Sequence, residues 1–247
     1  MALLTRILPR RIWWWSGYRR MSSFLDVSVD EQTGVAVMKM KKPPVNSLNL
    51  EFLQEIRTSL VALEQNKKCR GLILTSDLPK IFCAGLDITE MYQPERERLK
   101  AFWRALQDMW LQLYLSPLAT VAAINGIVAP FWFKDAMINT VGHRESEIAL
   151  ELGYLYKTDE ALHKGLVDKV VPLEEVMATA QNKITEYLKI PNMARVLSKQ
   201  SMRQETAQKL RNKQDSDIEA FVNFAFQDKV QKSLGFYLEQ LKKKSKK

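Results

Sequence analysis

Residues 82–91 read Phe-Cys-Ala-Gly-Leu-Asp-Ile-Thr-Glu-Met, and they follow a short β-type run, Gly71-Leu72-Ile73-Leu74-Thr75. A polar stretch and then a helical pattern come after them. Ala84-Gly85-Leu86 therefore falls in a strand-to-helix turn. Such a turn leaves backbone N–H groups pointing outward with a helix dipole behind them. That geometry holds a developing negative charge on oxygen. A plainer reading stands beside it: Gly85 makes the turn and Asp87 caps the helix.

Working outward, Val35-Ala36-Val37-Met38-Lys39-Met40 reads as a strand, stopped by Pro43-Pro44. Asn49 is placed to cap a helix whose Leu50, Leu53, Ile56, Leu60 and Leu63 form one stripe. A second helix is expected from about Pro94 to Tyr114, with Leu99, Phe102, Leu106, Met109, Trp110 and Leu113 on its apolar face. Thr120-Val121-Ala122-Ala123-Ile124, bounded by Pro117 and Gly126, fits a buried strand. This β-α-β-α-β alternation predicts an α/β fold with a mostly parallel sheet under helical cover.

After Gly126 the character changes. Glu145–Leu152 reads as a helix ended by Gly153, Thr158–Lys164 as another ended by Gly165, and Leu166–Val171 as a short strand. From Leu173 onward the pattern is helical. Its stripes are Leu173, Val176, Ala180, Ile184 and Leu188; then Ile218, Phe221, Val222 and Ala225; then Val230, Leu234, Leu238 and Leu241. Core packing and an oligomer interface both account for such faces.

The formal charge of +9 resides at the two ends. Residues 1–25 hold Arg6, Arg10, Arg11, Arg19 and Arg20 and no acid, and residues 242–247 hold five lysines; without them the body carries −1. A nucleic-acid-binding face is not expected. Residues 1–22, Arg-rich, acid-free and carrying three consecutive Trp, have the composition of a mitochondrial transit peptide; a disordered basic tail is the alternative. No apolar run reaches the ~18 residues of a membrane span. Cys69 and Cys83 suit a reduced compartment and have no metal-ligand spacing. His143 and His163 stand far apart in sequence, and no Ser-His-Asp, HExxH, P-loop or GxGxxG pattern is present.

Ala84-Gly85-Leu86-Asp87-Ile88 resembles the first oxyanion loop of the crotonase (enoyl-CoA hydratase/isomerase) family. In family order, Pro43-Pro44-Val45-Asn46-Ser47-Leu48 resembles the opening segment, Gly71–Thr75 a core strand and Val121-Ala122-Ala123-Ile124-Asn125-Gly126 the approach to the second oxyanion element. Ala161-Leu162-His163-Lys164-Gly165-Leu166-Val167-Asp168-Lys169-Val170-Val171-Pro172 resembles the later helix and strand. Ala129-Pro130-Phe131-Trp132, Lys134-Asp135 and Gly142-His143-Arg144 are similar to the family's enoyl-CoA isomerase branch.

The resemblance implies a crotonase-like ββα spiral core, here truncated, with a C-terminal helical region. It divides the chain into a transit peptide (1–22), an α/β core (23–172, with an internal deletion near 126–129) and a trimerisation-type helical region with a basic tail (173–247). It also implies an acyl-CoA thioester ligand bound by Ala84, Gly85, Leu86, Asp87 and Ile88, with Leu86 N–H as oxyanion donor. The implied reaction moves a 3-double bond to the 2-trans position in the mitochondrial matrix, in a homotrimer, without metal or redox cofactor.

The family's second donor and catalytic Glu belong between Asn125-Gly126 and Ala129-Pro130-Phe131-Trp132, a span of roughly 30 residues at average element lengths. Only Ile127 and Val128 stand there, and residues 127–134 contain no Gly and no acid. No residue takes either role. Asp87, Glu90, Asp135, Glu145 and Glu147 are the carboxylates nearest the matching segments, with Asp135 best placed as a substitute base. The expectation is a family member that is inactive or severely impaired. The alternatives are a non-catalytic acyl-CoA-binding or hetero-oligomerising variant, or an unstable product of a skipped segment.

Overall fold

The computed structural model describes residues 24–79, 81–124 and 132–244. The transit-peptide reading of residues 1–22, the Asn125–Phe131 junction and the last three residues lie outside the described residues.

Two β-strands open the described residues. Strand β1 (Leu25–Asp30), which the sequence reading did not include, pairs antiparallel with β2 (Val35–Met40), in register from Leu25 opposite Met40 to Asp30 opposite Val35. Gly34 at the hairpin sits at φ +72°, and a Cβ there would lie 2.7 Å from Lys68 O. The hairpin demands glycine on both counts. Strand β3 (Gly71–Ser76) runs parallel to β2, and β4 (Ala119–Ala122) parallel to β3, giving the order β1-β2-β3-β4.

Parallel neighbours need crossovers, and two helices supply them. Helix α1 (Leu50–Gln65) is capped by the Asn49 side chain on Phe52 N–H, and it buries Phe52, Leu53, Ile56, Leu60 and Leu63. Phe52 thus takes the central position, while Leu50 is only half-buried. Helix α2 (Arg96–Leu115) starts under a Glu95 cap and buries Leu99, Phe102, Trp103, Leu106 and Trp110. α1 packs with Met38, Met40 and Leu72 against one face of the sheet.

Beyond the junction come α3 (Trp132–Val141), α4 (His143–Leu152) and α5 (Thr158–His163). Gly153 ends α4 in the left-handed conformation, as its position predicts. The strand expected at Leu166–Val171 does not form: this stretch is irregular, with Val170 exposed. A strand needs a neighbour for its backbone groups, and among the described residues none lies alongside.

Helix α6 (Val176–Leu188) covers the other face of the sheet, where Ala180 and Ile184 pack on Val35, Ile73, Ala119 and Ala123. Its approach is close enough that a Cβ on Gly71 would come within 2.7 Å of Ile184 Cδ1. Leu173, placed in the α6 stripe by the sequence, falls in a preceding 3₁₀ turn and is exposed. Helices α7 (Asn192–Arg211) and α8 (Gln214–Ala225) pack on α2, with Phe221 stacked on Trp103 at 3.5 Å. In α9 (Asp228–Lys244), Val230, Leu234 and Leu238 are half-buried and Leu241 is exposed.

Candidate functional site

The loop 82–88 is shaped by the segment after Pro43-Pro44. Ala84 N–H donates to Val45 O (3.0 Å), Leu48 N–H to Gly85 O (2.8 Å) and Asp87 N–H to Leu48 O (2.9 Å). Leu48 and Leu86 therefore face each other as a single parallel β-bridge. In a parallel pairing a residue's two neighbours bond the partner, and its own N–H points the other way. Leu86 N–H is accordingly directed away from the 45–48 segment. Within 84–88, the N–H groups of Leu86 and Ile88 have no acceptor among the described residues, whereas Gly85 N–H donates to Cys83 Sγ (3.3 Å). Gly85 sits at φ +87°, the positive region a turn of this sharpness requires.

The helix dipole expected behind the loop is not there. The loop leads into a three-residue 3₁₀ turn, Ile88–Glu90, and α2 begins only at Arg96. A single turn sums too few peptide dipoles to act as a macrodipole. Leu86 N–H stands as a local donor.

Asp87 does the capping that the plainer reading assigned to it. Its Oδ1 accepts Thr89 N–H (3.2 Å) and Thr89 Oγ1 (2.6 Å), and its Oδ2 accepts Lys42 Nζ (3.2 Å) and Ser47 Oγ (3.1 Å). Burial pushes this carboxyl up, but Thr89, Lys42 and Ser47 outweigh it and hold it below its ordinary pKa.

The other candidate bases are engaged as well. Glu90, buried, accepts Leu50 N–H (3.1 Å) and both arms of Arg98 (2.9 and 2.7 Å). The Arg98 guanidinium also reaches Glu51, and these two carboxylates, Glu51 foremost, raise its pKa. Asp135 pairs with Lys209 (2.8 Å) and Lys134 (3.3 Å); burial opposes, but the two lysines hold its pKa low. Glu145 accepts Lys164 Nζ (2.6 Å) and Tyr156 Oη (2.7 Å), which lower its pKa; Tyr156 is pushed up to about 12 by burial and by Glu145. Glu147 pairs with Arg144 (2.7 Å). A general base works best with a pKa near the operating pH and a lone pair free for the proton. Asp87, Asp135 and Glu145 are shifted away from that range, and all five already serve a cation or a hydrogen-bond donor.

His143 and His163 are both exposed, and no metal-binding group of side chains exists among the described residues. A cavity of about 250 Å³ lies between β3–β4 and α2, lined by Leu72, Leu74, Trp110, Leu113, Val121 and Arg203, and no residue of 84–88 reaches it. Sequence reasoning identified the loop but not its partners Lys42, Val45 and Ser47. The Pro43–Leu48 motif contains Val45 and Ser47 but carries no sign of their pairing with the loop.

Comparison with known proteins places these observations. The family described as Enoyl-CoA hydratase/isomerase matches residues 30–129 and 126–247, two pieces that overlap at 126–129. Enoyl-CoA delta isomerase 1, mitochondrial, of Homo sapiens is 45% identical over 250 residues, covering 87% of this chain and 83% of the relative. The Mus musculus counterpart is 43% identical over 252 residues, covering 88% and 87%. The crystal structure of human mitochondrial delta3-delta2-enoyl-CoA isomerase superposes with a TM-score of 0.86 at 44% identity, covering 89% of this chain and 98% of that one. An enoyl-CoA hydratase from Bacillus halodurans shares the fold at a TM-score of 0.76 and 17% identity, covering 86% and 99%.

Proposed function

This chain belongs to the enoyl-CoA hydratase/isomerase family, and from that premise we propose that it is a mitochondrial member of the enoyl-CoA isomerase branch that binds an acyl-CoA thioester without turning it over efficiently. The observation that carries the binding half is the free Leu86 N–H, held outward by the Leu48–Leu86 bridge. Residues 84–88 receive the thioester, and Leu86 N–H donates to its carbonyl oxygen.

The chemistry explains the other half. Isomerisation removes a proton from C2 of the thioester and returns it at C4. The intermediate is an enolate, whose oxygen calls for two preorganised donors. One positioned carboxylate carries the proton. Among the described residues Leu86 N–H is the donor the loop bridge directs outward, and the carboxylates nearest in sequence to the matching segments are committed to Lys42, Arg98, Lys209, Lys164 and Arg144. Two family matches that overlap at 126–129 support a skipped segment as the origin of the loss. Residues 1–22 act as the transit peptide, in keeping with relatives named mitochondrial.

A second reading, a chain that needs a family partner to be stable, is favoured by one observation. Leu155, Met193 and Met202 are 75%, 76% and 81% exposed in the C-terminal half. Docking on full-length copies would cover them.

Calorimetric titration tests the binding proposal. Hexanoyl-CoA is expected to bind about tenfold tighter than free CoA, the worth of roughly one hydrogen bond plus a short buried chain. Leu86→Pro removes the N–H itself and is expected to cut most of that margin. Equal affinities for the two ligands in the parent chain would contradict the proposal.

A further inference from the structure

Asn46 is fully buried, at 0% exposure, and every polar group it carries is used. Its N–H donates to Lys42 O (2.8 Å) and its Oδ1 accepts Lys42 N–H (2.7 Å). Its Nδ2 donates to Ser76 Oγ (2.8 Å) and to Phe82 O (2.8 Å). Its own carbonyl accepts the Cys83 thiol (3.1 Å). The backbone is left-handed, φ +51°, a conformation that Asn tolerates better than other side chains. One residue thus ties the exit of β2, the end of β3 and the entry to the 84–88 loop.

The consequence reaches Leu86 through the backbone. Val45, next to Asn46, receives Ala84 N–H, and Leu48, two residues on, bonds both Gly85 and Asp87. Where the 45–48 segment lies decides where Leu86 N–H points. The segment has no regular hydrogen-bond ladder of its own to fix it: β2 ends at Met40 and α1 starts at Leu50. Asn46 supplies that anchorage from both sides. Only a short primary amide fits, because two donors and one acceptor are needed at once. A carboxylate would turn an oxygen toward the Phe82 carbonyl.

We infer that Asn46 is the positioning residue of this site, the side chain that fixes the 45–48 segment against Ser76 and Phe82 and thereby aims Leu86 N–H at the thioester carbonyl. It touches no substrate atom. The inference rests on the reading of Leu86 as the thioester donor, and it goes further in saying what sets that donor's direction.

The test uses the full chain and hexanoyl-CoA labelled with ¹³C at the thioester carbonyl. Two quantities are read: the change in the ¹³C resonance on binding, and the ratio of hexanoyl-CoA to free-CoA affinity. The parent chain is expected to move the resonance downfield. Asn46→Asp is expected to abolish that movement and lower the ratio about fivefold, the scale of one lost hydrogen bond, with free-CoA affinity unchanged. Ser76→Ala removes a single tether and is expected to give a smaller loss, about threefold. A folded Asn46→Asp that keeps the carbonyl shift and the ratio overturns the inference. So does a variant that weakens both ligands equally, which marks a merely structural role. If Asn46→Asp does not fold, an unchanged resonance in Ser76→Ala overturns it instead. A parent chain that gives no carbonyl shift overturns the Leu86 reading as well, which separates the two failures.

Discussion

Residues 24–124 and 132–244 dispose of their apolar side chains in opposite ways. Among the described residues the first region buries 23 apolar side chains and leaves one large one, Val27, exposed; the second buries eight and exposes 18. The first region is a β-β-α-β-α-β unit, in which each crossover helix finds a sheet face or its neighbour and closes a core locally. The second consists of helices whose stripes face too little. α6 reaches the sheet and α7 and α8 reach α2, but α4 turns Leu150 and Leu152 outward and α7 exposes Met193, Leu197 and Met202. A clean amphipathic pattern specifies a helix and one buried face; it does not provide the surface that buries it. The proposed skipped segment would leave such faces uncovered.

Mutations can break or sharpen this contrast. The largest effect is expected at Phe52→Ala, in the core under the sheet, at about 3–5 kcal/mol by urea denaturation. Ile184→Ala, in the contact that ties α6 to the sheet, is expected to cost about 2–4 kcal/mol. A near-zero result there would mean that α6 is not docked in solution. Asp87→Asn is expected to cost about 1 kcal/mol at neutral pH and to alter the acid limb of stability. The Asp87 carboxyl is held below its ordinary pKa in the fold. Its contribution is therefore fully present above about pH 4, the unfolded value, and is lost as pH falls through the lower folded value. Unfolding midpoints between pH 2 and 6 should fall less steeply in the variant. The smallest effect is expected at Met202→Ser, within about 0.5 kcal/mol. A cost matching that of Phe52→Ala would show that this face is covered in solution and that the contrast does not hold there.

The sequence was legible where local chemistry and tertiary packing agree. The Asn49 cap, the α1 and α2 stripes, the β3 run and the Gly153 stop all follow from spacing and residue type. Strand β1 is equally readable, since Leu25, Val27 and Val29 alternate with Asp26, Ser28 and Asp30. α7 gave little signal because only Ala207 and Leu210 of its 20 residues are buried. Leu166–Val171 shows the opposite error: a good strand composition with nothing to pair with. At the site, the motif disclosed the loop, but its supports were out of reach. Lys42 and Ser47 meet Asp87 across 45 and 40 residues of chain, and no local pattern encodes such a pairing.

One measurement bears most directly on binding without efficient turnover. It is the initial rate at which the purified chain converts a 3-enoyl-CoA to the conjugated 2-enoyl-CoA, followed by ultraviolet absorbance beside the human relative. Loss of one oxyanion donor alone costs about 10²–10³ in rate, and the proposal has the base missing too. The expected result is a rate at least about 10³ below the relative's, from a chain that still binds hexanoyl-CoA. A rate within about tenfold of the relative's would contradict it, and Asp135→Asn and Glu145→Gln would then show which carboxylate had become the base.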